Sequence, residues 1–280
     1  MIIIDAQVHI WAADTPERPW PEYGKGYAQR GGEPFSKDDL LQEMDAAGVD
    51  RVVIVPPSWE GERNDLALEA AALHPDRFAI MGRLGIERPE SRELIATWKE
   101  QPGMLGVRLT LTREHHRGWL SDGTADWFWA AAQRYDIPVM ASVAGSIPMI
   151  AEIVARYPGL RLVIDHLGLP GSTRDAEFGA ALEPLFLLAP FPNVAVKVSA
   201  LPCYVTEAYP FRSLHPHIRR VVETFGPQRV FWGTDLTRLP CPYHQAVTLF
   251  SEALDFLSES DKEWIMGRAI AEWLNWPLAV

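Results

Sequence analysis

The amino-acid sequence predicts a (β/α)8 (TIM) barrel with an additional C-terminal helix. Eight short segments are continuously apolar and rich in Val, Ile, Leu and Met, as parallel strands covered on both faces are. A segment with helical periodicity follows each of them. The 280 residues also suit one such barrel, so we expect a single domain over residues 1–280. A doubly wound sheet is the alternative, but no Gly-rich phosphate-binding motif follows the first strand.

The predicted elements alternate along the whole chain. The strands are expected at 2–10, 51–55, 78–84, 104–111, 137–143, 161–166, 193–199 and 229–235. The first helix begins after Ser36, a favourable N-cap, and stops at Gly48. The next helices are expected at 62–74, 90–101, 125–135, 147–157, 176–189, 215–225 and 243–257. The extra helix is expected at 260–274, with Ser260 and Glu263 forming its capping box, and should pack outside or under the barrel.

Composition limits the classes of function. The net charge of −11 argues against general nucleic-acid binding, which requires a basic surface. No apolar stretch reaches the roughly 20 residues of a membrane helix, and no signal peptide is evident. Cys203 and Cys241 make no disulfide framework. We therefore expect a cytoplasmic protein without membrane or nucleic-acid partners, and its oligomeric state stays open.

Several chemically capable residues stand at the ends of predicted strands. In barrel enzymes the active site lies at the carboxyl ends of the strands, whatever their separation in sequence. This rule selects the side chains at the barrel mouth, namely His9, Arg108, Ser142, His166, Lys197 and Asp235. The Pro-, Gly- and aromatic-rich segment 12–35 follows the first strand and should also lie at the mouth, as a lid or binding element.

Five motifs together resemble one enzyme family. They are Asp5–Trp11, Gly106–Leu109, Asp165–Gly168, Asn193–Ala200 and Trp232–Asp235. In this order they resemble the amidohydrolase superfamily, and more narrowly its branch of lactonases and decarboxylases, which includes the 2-pyrone-4,6-dicarboxylate lactonases. The resemblance spans about residues 2–276.

The chain departs from the metal-binding pattern of that superfamily. The family ends its first strand in His-x-His, whereas Gln7 stands here at the first of these positions and His9 at the second. Ser142 stands where the family often has a His on the fifth strand. His9, His166 and Asp235 are then the remaining candidate ligands. Because zinc favours imidazole over amide or hydroxyl oxygen, we expect either no metal or a weakly bound zinc or manganese ion.

The candidate roles follow from side-chain chemistry and from the resemblance. Asp235 would take a proton from water, and His166, His9 and Arg108 would hold the substrate carbonyl and its developing oxyanion. Residues expected to bind substrate are Gln7, Trp11, Ser142, Lys197, Tyr204 and Arg238. Arg108, Arg113 and Arg238 would form a cationic patch, which suits a small anionic substrate.

These expectations favour a hydrolase that opens a lactone or similar cyclic ester of a small carboxylated substrate. Two alternatives remain at this point. One is a metal-dependent decarboxylase or hydratase of aromatic or unsaturated acids. The other is a non-catalytic binding barrel, suggested by the loss of the two usual ligands at Gln7 and Ser142.

Overall fold

The computed structural model describes residues 1–112 and 114–278, apart from the side chains of Lys25, Glu114 and His115. In this part of the chain, eight parallel strands form one sheet in the order β1 to β8. They are β1 (Ile4–Val8), β2 (Arg51–Ile54), β3 (Phe78–Gly82), β4 (Met104–Thr110), β5 (Val139–Ser142), β6 (Leu162–Ile164), β7 (Val194–Ser199) and β8 (Val230–Gly233). The predicted (β/α)8 barrel is confirmed, and the strands are shorter than the apolar runs that predicted them.

Two apolar layers explain why the strands are apolar on both faces. Alternate residues such as Val53 and Ala79 belong to one buried cluster, together with residues of the C-terminal helix. Their neighbours Val52 and Phe78 belong to a second buried cluster, which includes the surrounding helices. Branched side chains on both faces therefore fill the barrel interior and the space beneath the helices.

Helices follow the strands around the outside of the barrel. They are α1 (Lys37–Ala47), α2 (Asp65–Leu73), α3 (Ser91–Leu94), α4 (Glu114–Gly118), α5 (Asp126–Arg134), α6 (Ile147–Arg156), α7 (Glu177–Leu182), α8 (His215–Phe225), α9 (Tyr243–Thr248), α10 (Glu259–Glu263) and α11 (Ala269–Leu274). The expected cap of α1 is present, because Ser36 forms a capping box with Asp39 and Gly48 ends the helix at φ 72°.

Three of the helices predicted between or after the strands change geometry along their length, as does the C-terminal helix described below. The helix expected at 90–101 is α3 followed by a 3-10 segment at Ile95–Glu100, and that at 176–189 is α7 followed by one at Glu183–Leu188. The helix expected at 243–257 is α9 followed by a π turn at Leu249–Ala253. Helical periodicity located these segments but did not distinguish the tighter and wider turns.

The capping box predicted for the C-terminal helix is wrong. Ser258 is the N-cap of α10, and its hydroxyl accepts from the backbone N–H of Asp261. Ser260 already lies inside the helix, so it cannot act as the cap. The chain continues through a π turn at Trp264–Arg268 into α11.

The C-terminal segment closes the amino-terminal end of the barrel. Ile270 and Leu274 of α11 pack in the same cluster as Ile4 of β1 and Phe231 of β8. The Arg51 guanidinium, at the start of β2, donates to the carbonyl of Pro277 at 2.7 Å. The barrel floor is thus sealed, and access is left to the opposite end.

The long segment after β1 folds back over the mouth. Trp11 and Phe35 join its two ends through backbone hydrogen bonds of 2.9 and 3.1 Å. Within the segment, the Arg18 guanidinium donates to Glu60 at 2.9 Å and pairs with Asp65. These contacts fasten the insertion to the chain that follows β2.

Within residues 1–112 and 114–278, we find no helix that combines the length and hydropathy needed to cross a membrane.

Leu274→Ala tests the sealing role of the C-terminal segment. Leu274 is 2% exposed, and its truncation should lower the free energy of unfolding by about 2–5 kcal/mol. Urea denaturation followed by circular dichroism measures the change. Leu187→Ala is the control, because Leu187 is 55% exposed and should cost about 0.5 kcal/mol or less. Equal losses in the two variants would contradict the sealing role.

Candidate active site

Asp235 follows β8 in a constrained backbone conformation. Its φ of 52° lies in the left-handed region, which few residues other than Gly adopt. The backbone N–H of Asp235 donates to the Gln7 carbonyl at 2.8 Å, which joins the end of β8 to β1. Only 2% of Asp235 is exposed, so its carboxylate is presented to the mouth from a fixed position.

His9 lies against one oxygen of that carboxylate. The distance from His9 Nε2 to Asp235 Oδ1 is 3.3 Å. On the other side of the ring, Nδ1 lies 2.5 Å from the Val55 carbonyl oxygen. A carbonyl only accepts, so Nδ1 carries the proton of the neutral ring. Burial lowers the pKa of His9, against the opposing effect of Asp235.

His166 faces the second oxygen of Asp235. It sits in a short turn after β6 with φ 51°, and its Nε2 lies 3.7 Å from Asp235 Oδ2. Its Nδ1 makes a hydrogen bond of 2.8 Å with the Ser199 hydroxyl, at the end of β7. Burial lowers the pKa of His166 to about 4, despite the nearby carboxylates. Both imidazoles are therefore neutral at physiological pH.

Polar neighbours keep Asp235 ionised. Arg238 donates to Oδ2 at 3.2 Å, and Gln29 of the long insertion donates to Oδ1 at 3.3 Å. Burial by itself would raise the pKa of Asp235, but His9, Arg238 and His166 outweigh it and the pKa falls to about 2. The carboxylate is thus an acceptor for hydrogen bonds throughout the physiological range.

A cavity of about 510 Å³ opens above Asp235, His9 and His166. Its walls carry positive charge from Arg108, Arg117 and Arg238. Residues that carry hydroxyl groups also line it, among them Thr110, Ser142 and Tyr204. The cavity is large enough for a small ligand, and positively charged and hydrogen-bonding side chains line it.

A buried chain of polar side chains lies beneath this cavity. Asp165, at the end of β6, accepts from Arg108 Nε at 3.0 Å and pairs with Lys197 Nζ at 2.7 Å. The same Lys197 ammonium donates to Gln7 Oε1 at 2.7 Å. Lys197 pairing and the Arg108 guanidinium offset the burial of Asp165 and leave its pKa below the ordinary range.

The predicted site residues separate into two groups. Those that line the cavity are His9, Arg108, Ser142, His166, Tyr204, Asp235 and Arg238. Gln7, Trp11 and Lys197, which we expected to bind substrate, do not line it. Gln7 and Lys197 are fully buried below its floor, and Trp11 packs edge-on against Trp59 behind the wall. Their placement supports an indirect role. Arg113, expected in the cationic patch, lies outside the described residues.

Some residues at the site were missed from sequence. Gln29 lies in an insertion without periodicity, and Ser199 and Thr110 are ordinary strand residues. Asp165 could have been predicted, because it immediately precedes His166 at a strand end. Arg108 and Lys197 stand at other strand ends, and their charges indicate an acidic partner inside the barrel.

The polar groups at the mouth do not fit a metal centre. Among the described residues, no group of three or more His, Cys, Asp or Glu side chains has metal-binding geometry. The Arg238 guanidinium donates to Oδ2 of Asp235, so that oxygen already has a cationic partner. The side-chain oxygen of Gln7 faces Lys197 rather than the cavity. His9, His166 and Asp235, the expected ligands, therefore converge without forming a cation site.

The chain is similar in sequence to a lactonase and to a lactone hydrolase. The chain is 29% identical over 238 residues to an L-fucono-1,5-lactonase of Burkholderia ambifaria, covering 83% of this chain and 79% of that protein. It is 25% identical over 201 residues to a 4-sulfomuconolactone hydrolase of Hydrogenophaga intermedia, covering 71% and 64%.

A solved structure shares the fold. The crystal structure of an amidohydrolase from Burkholderia multivorans with bound zinc superposes with a TM-score of 0.81 at 23% identity, over 99% of this chain and 100% of the other. The family model described as amidohydrolase matches residues 4–276, and the chain therefore belongs to the amidohydrolase family.

Proposed function

We propose that this enzyme opens the ring of a small, negatively charged lactone by adding water to its carbonyl carbon, without metal catalysis. The observation that carries the proposal is the ionised Asp235 carboxylate, held between two neutral imidazoles at the base of an arginine-lined cavity. Lactone hydrolysis by the relatives from Burkholderia and Hydrogenophaga supports the same reaction class.

Asp235 is the group that activates water. A water molecule that donates a hydrogen bond to the carboxylate is aligned for attack on a carbonyl carbon above it. With a pKa of about 2, Asp235 is a weak base at equilibrium, so it takes the proton only as the new C–O bond forms. The proton then passes to the ring oxygen as the ring C–O bond breaks, which yields a hydroxy acid and restores the carboxylate.

His166 and Arg108 stabilise the oxyanion that forms in this step. When the Ser199 hydroxyl donates to Nδ1 of His166, the neutral ring carries its proton on Nε2, which lies at the cavity wall 3.7 Å from Asp235 Oδ2. Arg108 lines the same cavity and is fixed from below by Asp165. Two prearranged donors of this kind can stabilise negative charge without reorganising during the reaction.

The charge of the cavity indicates the class of substrate. The protein carries a net charge of −11, yet Arg108, Arg117 and Arg238 line the cavity together with the carboxylate of Asp235. A carboxylate or sulfonate on the lactone would pair with these guanidinium groups. The hydroxyl-bearing side chains nearby suit a lactone that also carries hydroxyl groups.

A panel of lactones tests the reaction. Purified protein, dialysed against EDTA, should hydrolyse sugar-acid lactones or carboxylated muconolactones at rates within about twofold of the undialysed sample, because no step uses a metal. Proton release in weakly buffered solution measures the rate. Asp235→Asn should lose at least about 10³-fold in kcat while keeping its circular dichroism spectrum. Activity that disappears with EDTA and returns with zinc or manganese would instead favour the metal-dependent alternative.

The pH dependence of kcat/KM should reflect the buried histidines. Because the pKa of His166 is lowered to about 4 and that of Asp235 to about 2, both keep their active protonation states above pH 5. We expect kcat/KM to stay level from pH 7 to 5 and to fall near pH 4. There, protonation of His166 at Nδ1 breaks the hydrogen bond from Ser199, and the added positive charge makes Asp235 a weaker base. Circular dichroism at each pH controls for unfolding. An inflection near pH 7, which metal-bound water shows, would contradict this mechanism.

Arg117→Gln tests the preference for anionic substrates. Losing one charge-assisted hydrogen bond should raise KM about tenfold for a carboxylated lactone and much less for a neutral one. Initial rates on a matched pair of lactones give the comparison. Arg88→Gln is the control, since the Arg88 side chain is 55% exposed and lies outside the cavity. Equal increases in KM for both substrates would show that Arg117 does not recognise charge.

A further inference from the structure

Lys197 is a fully buried cation that the proposed reaction does not use directly. It lies in the middle of β7, and none of its surface is exposed. A Lys in such a position is rare unless its ammonium is paired and hydrogen-bonded. Here Nζ lies 2.7 Å from Asp165 Oδ1 and 2.7 Å from Gln7 Oε1. The ammonium thus joins β6, β7 and β1 across the barrel interior.

The contact with Lys197 determines which way the Gln7 amide points. An ammonium has only donors, so the carbonyl oxygen of Gln7 must face it. The amide nitrogen of Gln7 then faces His9, with Nε2 of each residue 3.5 Å apart. Because Nδ1 of His9 donates to the Val55 carbonyl, Nε2 of the neutral ring is an acceptor and suits an N–H of Gln7. One direction of donation runs from Lys197 through Gln7 to His9.

A second branch runs from Lys197 to the cavity wall. Asp165 offers one oxygen to Lys197 and the other to Arg108 Nε, at 3.0 Å. Asp165 is almost fully buried, so its orientation is set by these two cations rather than by water. The guanidinium of Arg108 is consequently held with its edge against β6.

We propose that Lys197 is a positioning residue that sets the hydrogen-bonding polarity of Gln7 and His9 and, through Asp165, the orientation of Arg108. Its effect on turnover rests on the proposed lactone hydrolysis, whereas its effect on His9 does not. Lys197 touches neither substrate nor the reacting atoms, since it lies below the cavity floor.

Two variants interrupt the series of hydrogen bonds from Lys197 to His9 at different points. Lys197→Met has nearly the same length and leaves Asp165 paired with Arg108, but it removes the donor to Gln7. Gln7→Met leaves the ion pair of Lys197 with Asp165 intact and removes the N–H that faces His9. Lys99→Met is the matched control, because Lys99 is a partly exposed Lys that bonds the carbonyl of Asp136.

The first measurement is the tautomer of His9 by ¹⁵N NMR of the imidazole, which requires no substrate. Wild type and Lys99→Met should show one Nδ1–H form, because the Val55 carbonyl holds that proton in every variant. Lys197→Met and Gln7→Met should show a shifted Nε2 resonance, because the N–H that faces Nε2 is lost or turned away. The second measurement is turnover of the best lactone. We expect kcat to fall about 10²-fold in both variants, because small displacements of catalytic groups have effects of this size.

Each outcome bears on the proposal. An unchanged His9 resonance in both variants, or a kcat within about threefold of wild type in both, would overturn it. If Lys197→Met does not fold, Gln7→Met alone decides. If no lactone is hydrolysed even by wild type, the proposed function fails while the NMR result still decides the positioning role.

Discussion

The carboxylate of Asp5 joins the two strands at which the sheet closes, and the placement of the site depends on it. Asp5 accepts hydrogen bonds from the backbone N–H of Thr234 at 2.9 Å and from the Tyr243 hydroxyl at 2.8 Å. It also accepts from the backbone N–H of Gln7 at 3.0 Å. The end of β8 is thereby held beside β1, so Asp235 meets His9. Asp5 is fully buried at this junction, and burial raises its pKa to about 6.

Two carboxylates at different depths organise the charges of the mouth. Asp235, in the upper layer, is paired with Arg238 and lies between the neutral rings of His9 and His166. Asp165, in the lower layer, is shared between Lys197 and Arg108. Buried charges are stable only when paired and hydrogen-bonded, so each layer supplies its own counterions. The lower layer orients side chains, and the upper layer is left to face substrate.

The fold was predictable because its cause is local and repeated. Continuous apolar strands and periodic helices recur through the chain. Because the carboxyl ends of parallel strands lie at one end of a barrel, the sequence already predicted that His9, His166 and Asp235 lie close together. The roles of Gln7 and Lys197 were not predictable in the same way. Their position at strand ends placed both residues near the site. Whether each side chain reaches the cavity or is buried below it depends on the register of the strands around the barrel. Gln29 could not be predicted as a site residue, because the insertion that carries it has no repeating pattern.

The left-handed backbone conformations at the mouth lower the stability of the fold at positions that the proposed activity requires. His166, Leu167 and Asp235 adopt φ values of 51°, 56° and 52°, a region that costs ordinary residues about 1–2 kcal/mol each. Gly adopts this region without steric cost, so replacing Asp235 by Gly would relax the backbone while removing the carboxylate. Directed evolution for heat resistance alone would consequently enrich inactive barrels, and any such campaign on this scaffold has to screen for turnover in the same round.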